Sequence, residues 1–227
     1  MKAIIFGKNI ESIAPLVERA GFAIVEKDPD FVISYGGDGT LMMAEHAYPG
    51  IPKVLLKDSM ICKKCSPLGN EEVLARIAAG QYSVENLMKL EVTANGKTLT
   101  TMNDVILHNK DPRHAIRYNL SVQHRPFKRQ VIGDGVVLAT PFGSTAYYRS
   151  ITDSFFELGI GVAFNNSTEQ SDHVVLKEES VITITITRGY ATIYADNQKD
   201  EIQVDDKSEI IVRKADGVAK IVVPDLA

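Results

Sequence analysis

Three stretches of the 227-residue chain combine glycine, acid, amide and hydroxyl groups in a way that suits phosphate and sugar chemistry. The first is Tyr35-Gly36-Gly37-Asp38-Gly39-Thr40, directly after the apolar run Phe31 to Ser34 and before a helical stretch. Gly36, Gly37 and Gly39 let backbone N–H groups approach a phosphate without obstruction, and the helix start adds positive potential. Asp38 needs its own reason to be there. A carboxylate beside bound phosphate repels it, unless it binds a metal or accepts a proton from an attacking hydroxyl. A strand-ending turn that satisfies only backbone geometry is the alternative. The segment is not a Walker loop, because no Gly-Lys-Ser/Thr follows.

The second stretch is Gly133-Asp134-Gly135, followed by Ala139-Thr140-Pro141-Phe142-Gly143-Ser144-Thr145-Ala146-Tyr147. A strand running into such a turn gathers hydroxyls, N–H groups and an aromatic ring, which describes a nucleotide pocket and equally a turn of a β-sandwich. The third is Asn103-Asp104 inside an otherwise apolar run. A buried amide and carboxylate demand partners, and these come either from the two hydroxyls of a ribose or from within the protein. Cys62 and Cys65 form the one C-x-x-C of the chain, a single pair that cannot complete a four-thiolate zinc site. Lys63 and Lys64 between them favour thiolate, yet no strand-to-helix step resembling a thioredoxin-like site surrounds the motif, so reduced loop thiols are expected.

The elements that must hold these residues change character along the chain. Up to about residue 85 strand and helix alternate. Strands are expected at Ala3 to Phe6, Phe22 to Val25, Phe31 to Ser34 and Val54 to Leu56, with helices from Ile10 to Ala20 and around Leu41 to His46. A third helix, Glu71 to Ala79, is expected with Asn70 as its cap and Gly80 as its stop. From residue 86 the period falls to 2. Leu87 to Thr93, Asn95-Gly96 and Leu99 to Leu107 read as a hairpin, and strands follow at Ile116 to Val122, Val136 to Ala139, Val181 to Thr187, Ala191 to Tyr194, Glu201 to Val204, Glu209 to Val212 and Ala219 to Val223. The expected architecture is α/β plus all-β: a parallel-sheet α/β domain over 1–85 and a β-sandwich domain over 86–227, with the last residues packing back on the first domain.

Composition narrows the classes further. With 44% apolar and 24% charged residues, 16 Gly and 9 Pro, the chain is that of a folded globular protein rather than a disordered or collagen-like one. No apolar run approaches a membrane span, and the short stretch Met1 to Phe6 is too brief for a signal-peptide core, so a cytoplasmic location is expected. The net charge of -4 argues against bulk electrostatic binding of nucleic acid. The basic run His124 to Arg129 is expected as a solvated hairpin loop or a phosphate-facing loop.

At the three stretches the sequence resembles the NAD kinase family. Gly36 to Thr40 is shared with the wider diacylglycerol-kinase and phosphofructokinase-like superfamily. Asn103-Asp104, the run Asp134 to Tyr147 and Ala195-Asp196-Asn197-Gln198, where the family has an Asp-Gly-Gln turn, narrow the match and extend it over nearly the whole chain. The resemblance implies an N-terminal α/β domain for the phosphate donor, a C-terminal β-sandwich for NAD, a site in the cleft between them, and a homodimer or homotetramer whose neighbouring subunit completes the site. It implies that Asp38 activates the 2'-hydroxyl of the adenosine ribose, and that Gly36, Gly37, Gly39 and Thr40 form the phosphate loop. Asn103 and Asp104 would hold the ribose and position NAD, Asp134 would lie near the nicotinamide end, and Thr145, Ala146, Tyr147 and Ser150 would line the adenine and its ribose. The donor is ATP or inorganic polyphosphate, with a divalent metal, Mg2+, supplied by the nucleotide and no metal site of the chain's own. No nucleic acid or membrane partner is expected.

Three segments depart from the family pattern. Lys57 to Pro67 replaces a Gly-rich loop ending in Gly-Phe that packs on adenine, and nothing between Lys57 and Leu68 is aromatic. Ser150-Ile151-Thr152-Asp153-Ser154 stands where the family has Ser-Ala-Gly-Gly-Pro, and Phe142 replaces a threonine. A lipid or other small-molecule kinase of the superfamily, and a dinucleotide-binding sensor without turnover, are the alternative functions.

Overall fold

The computed structural model describes residues 1–58, 62, 64–168 and 172–226. The chain divides into two compact units, Met1–Leu87 with Val218–Ala227, and Met88–Gly217.

In the first unit, β1 (Lys2–Gly7), β2 (Ala23–Ile24), β3 (Phe31–Gly36) and β4 (Lys53–Lys57) form a parallel sheet in the order β2-β1-β3-β4. Ile221 and Val222 extend it by pairing in parallel with Lys53 and Val54. The strands are nearly continuous apolar runs because helices cover the sheet. On one side Ala3, Phe31, Ile33, Val54 and Leu56 pack with Ile13 and Val17 of α1 (Ile10–Arg19) and with Val73, Leu74 and Ile77 of α3 (Asn70–Ala78). The intervening helix α2 (Asp38–Ala47) packs on β1, β3 and β4, and buried Glu45 pairs with buried Lys53. At Gly7 a Cβ would lie 2.3 Å from the carbonyl oxygen of Tyr35, so only glycine allows this approach between β1 and β3.

The second unit is a sandwich of antiparallel sheets. One contains β8 (Ile116–Val122), β9 (Arg125–Gly133), β13 (Ile182–Arg188) and the start of β16 (Glu209–Pro224), together with β5 (Tyr82–Ala94) and β6 (Lys97–Thr101). The other runs β12-β11-β10-β7-β14-β15, from β7 (Asp104–Asn109), β10 (Gly135–Ala139), β11 (Ile160–Asn165), β12 (His173–Leu176), β14 (Ala191–Ala195) and β15 (Glu201–Val204). Their inward residues, among them Leu90, Tyr118, Leu120, Ile184, Leu107, Leu138, Val162 and Ile193, make one core.

Four local expectations are corrected. Leu99 to Leu107 is not one strand: it breaks at Met102-Asn103, and its halves join different sheets. His124 to Arg129 is not a loop, since Arg125 begins the exposed part of edge strand β9. The strands β11 and β12 and the short helix α4 (Tyr147–Thr152) were not expected. Asn70 is the first helical residue of α3 rather than its cap, and its amide bridges the N–H and C=O of Lys57 at 2.8 and 2.8 Å.

Candidate active site

The first unit contributes the turn from β3 into α2. Gly37 is extended and its carbonyl accepts from the N–H groups of Thr40 and Leu41 at 2.9 and 3.2 Å, which starts the helix at Asp38. Gly36 is required for closeness, because a Cβ there would meet Thr40 Oγ1 at 2.2 Å. Asp38 thus stands in the first helical turn, where the helix dipole favours a negative charge.

Over that carboxylate lies the departing loop. Lys64 N–H donates to Asp38 Oδ1 at 3.1 Å, and Cys62 Sγ approaches the same oxygen at 3.5 Å. The expectation of reduced thiols is corrected: Cys62 and Cys65 are joined as a disulfide, with Cα atoms 5.4 Å apart, so the sulfur is a packing neighbour of Asp38 and not a proton donor. The Asn70 bridge to Lys57 closes the base of this loop. Lys63 lies outside the described residues.

The second unit contributes a more enclosed arrangement. Asn103 and Asp104 sit where the chain leaves β6 for β7, and the break is held by one carboxylate from far along the sequence. Asp196 accepts from the Thr101 hydroxyl and from the N–H groups of Met102, Asn103 and Asp104 at 2.9, 2.8 and 3.4 Å, while its own N–H donates to the Asp104 carbonyl at 3.1 Å. From the other side Thr140 Oγ1 donates to the Met102 carbonyl at 2.6 Å and accepts from Gly143 N–H at 3.0 Å. Gly143 presses so closely on Asn103 that a Cβ would fall 2.1 Å from its carbonyl oxygen. The second and third sequence stretches are therefore one structure.

Two features of that structure point to a ligand. Asn103 Oδ1 is buried and has no hydrogen-bond partner, an arrangement that costs free energy unless something donates to it. Beside it Asp104 is 5% exposed, and burial together with the neighbouring Asp196 pushes its carboxyl up to about 7. Burial raises Asp196 too, against four hydrogen-bond donors that favour its charged form. A protonated or partly protonated acid next to an unfilled amide oxygen suits a vicinal diol.

The remaining expected residues form a second group on this unit. Asp134 accepts from Asn109 Nδ2 at 3.1 Å and from Asn166 Nδ2 at 2.9 Å. Tyr147 OH accepts from Asn165 Nδ2 at 3.2 Å, so Asp134 and Tyr147 rest on consecutive residues of one strand end. Ser150 is exposed and its hydroxyl donates to the Tyr147 carbonyl at 2.7 Å, while Ala146 is exposed and Thr145 half-buried. Sequence reading missed Thr140, Asn165, Asn166 and Asn109 as supports, although each is a polar residue at the end of an apolar run. Among the described residues no group of three or more His, Cys, Asp or Glu side chains is placed to hold a metal. A cation that keeps most of its ligands from phosphates and water remains compatible with Asp38 as a single carboxylate.

The model of the ATP-NAD kinase C-terminal domain matches residues 102–223, more than half of the chain. An NAD kinase of Saccharolobus islandicus is 36% identical over 152 residues, which is 64% of this chain and 57% of that protein. Among solved structures, the yeast NADH kinase complexed with NADH superposes with a TM-score of 0.85 at 17% identity, covering 100% of this chain and 84% of that one. An NAD kinase from Archaeoglobus fulgidus in complex with ATP gives 0.80 at 20% identity, covering 97% and 93%. The fold, an α/β unit and a β-sandwich unit, is thus the one these kinases have.

Proposed function

The chain belongs to the NAD kinase family, and we propose that it transfers the terminal phosphate of ATP, or of inorganic polyphosphate, to the 2'-hydroxyl of the adenosine ribose of NAD, giving NADP. The observation that carries this is the buried, partnerless Asn103 Oδ1 beside Asp104, which a ribose hydroxyl would satisfy. The binding of NADH by the yeast relative and of ATP by the Archaeoglobus relative is in keeping with it.

On this reading Gly36, Gly37, Gly39 and Thr40 receive the donor phosphates at the start of α2. Asn103 and Asp104 hold the ribose diol, with Thr145, Ala146, Tyr147 and Ser150 along the adenosine and Asp134 at the nicotinamide end. Asp38 accepts the proton of the 2'-hydroxyl as its oxygen bonds to the terminal phosphorus and the bond from that phosphorus to the leaving phosphate breaks. Such transfer depends mostly on positioning and on offsetting charge. Mg2+ carried by the nucleotide would neutralise the phosphate oxygens. The active form is a homodimer or homotetramer in the cytoplasm.

The test is direct. Purified protein with NAD, ATP or polyphosphate and Mg2+ is assayed through an NADP-specific dehydrogenase. NADP formation is expected with at least one donor. Binding of NAD without any NADP at millimolar substrate would replace this reading by that of a dinucleotide sensor.

A further inference from the structure

A second basic feature of the sandwich unit lies outside all the residues used above. In the antiparallel pair β8 and β13, Arg117 stands directly opposite Arg188, immediately after a register shift. Like charges in directly opposed positions destabilise a strand pair. Neither guanidinium has a hydrogen-bond or ion-pair partner among the described residues, and the same holds for the ammonium of Lys110, whose backbone N–H donates to the Tyr190 carbonyl at 2.9 Å. These residues line a cleft of about 550 Å³, a size typical of small-molecule sites.

The charge in the cleft runs against the chain as a whole. Its lining includes Lys110, Arg113, Arg117 and Arg188 but one carboxylate, Asp111, while the protein carries a net charge of -4. Asp111 is already engaged. Arg113 holds both of its oxygens, at 2.9 and 2.7 Å, and His114 lies 3.2 Å away. Lys110, Arg117 and Arg188 therefore line the cleft with no ion pair among the described residues, while Asp206 at its edge is engaged by the Gly189 N–H at 2.6 Å. Beside them is Tyr190, whose ring is 70% exposed, an aromatic surface of the kind on which a base stacks.

We propose that this cleft is a second anion site, in which Arg117, Arg188 and Lys110 take the phosphates of a nucleotide or of an inorganic polyphosphate chain, and Tyr190 takes the base when there is one. An anion between Arg117 and Arg188 turns their mutual repulsion into two charge-assisted contacts. This does not depend on the reaction proposed above, and each could stand without the other.

The absence of tryptophan from the chain makes a local test available. In the 227-residue chain Tyr190→Trp places the sole tryptophan at the cleft. AMP, tripolyphosphate and adenosine are titrated at low salt while its fluorescence is read. AMP is expected to quench saturably, tripolyphosphate to displace it, and adenosine to have no effect at the same concentration. Tripolyphosphate binding without an AMP response would assign the site to polyphosphate. Adding Arg117→Ala and Arg188→Ala should weaken binding about tenfold or more, whereas Asp38→Asn should leave it unchanged. Should the double variant fail to fold by circular dichroism, Arg188→Gln alone gives the same comparison. The proposal is overturned if neither anion changes the signal at millimolar concentration, if adenosine acts as strongly as AMP, or if a folded arginine variant binds as the parent does.

Discussion

The two carboxylates proposed for the reaction are held by opposite means. Asp38 is half-buried at a helix start and is touched by a loop that closes on itself through a disulfide. Asp104 is walled in by the sandwich and fixed through its backbone by Asp196, with Thr140 holding Met102 and Gly143 packed on Asn103 just before it. A proton acceptor needs a group that substrate and solvent can reach, whereas a ribose holder gains from rigidity and low dielectric. The difference separates the group expected to control turnover from the group expected to control binding.

The largest expected effect follows from that division. Asp38→Asn should lower turnover by about 10² or more while the affinity for NAD changes little, since a lost general base costs on that scale. Steady-state kinetics with a binding measurement decides it. A variant that keeps near-normal kcat would move the chemistry away from Asp38.

Asp196→Asn comes next and should have the opposite signature. The amide keeps one acceptor oxygen but loses the charge that faces the Met102, Asn103 and Asp104 N–H groups. Each charge-assisted bond contributes about 1.5–3 kcal/mol, so the turn should loosen and KM for NAD should rise about tenfold, more than kcat falls. A fall in kcat alone would show that Asp196 does not act through the ribose pair.

How far the sequence revealed these two regions depends on where their partners lie. Gly36 to Thr40 was legible because strand, turn and helix are contiguous and each residue's role is local. Asn103-Asp104 was visible as polar residues in an apolar run, but not as a break between two sheets, since no glycine or proline between Leu99 and Leu107 marks one. The residue that stabilises the break is 93 positions away from Asn103. Its turn was noticed only as part of a family pattern. Strand β9 was missed because an exposed edge strand can be as polar as Arg125-Pro126-Phe127-Lys128-Arg129, and β11 because a strand buried on both faces has no alternation to read.

A third effect sharpens the contrast through pH. The Asp104 carboxyl is pushed up to about 7, so between the ordinary carboxylate range and that pH the folded chain retains a proton that the unfolded chain has lost. Stability must then fall as pH rises through this window, and above it the full cost of a buried charge is present. Asp104→Asn removes the titration. The variant should match the parent near pH 4 and exceed it at pH 8 by about 4 kcal/mol, read from denaturant midpoints at the two pH values. Equal stability at pH 8 would mean that Asp104 is ionised in the fold at little cost.

The smallest effect concerns the loop over Asp38. Reduction of Cys62–Cys65 by a dithiol consumes the disulfide and yields two thiols, leaving the loop anchored at its base by Asn70 and Lys57. What loosens is the segment that brings Lys64 N–H to Asp38 Oδ1 at 3.1 Å. One surface hydrogen bond contributes about 0.5–1.5 kcal/mol, so the reduced protein, or Cys62→Ser with Cys65→Ser, should change kcat/KM by no more than about tenfold. The direction is informative. This N–H holds an oxygen that the proposed reaction needs as a proton acceptor, so freeing it should raise kcat, whereas loss of the loop as a cover should raise KM. An unchanged kcat in both the reduced and the doubly substituted protein would show that the loop merely covers Asp38, and that the carboxylate owes its position to the helix start alone.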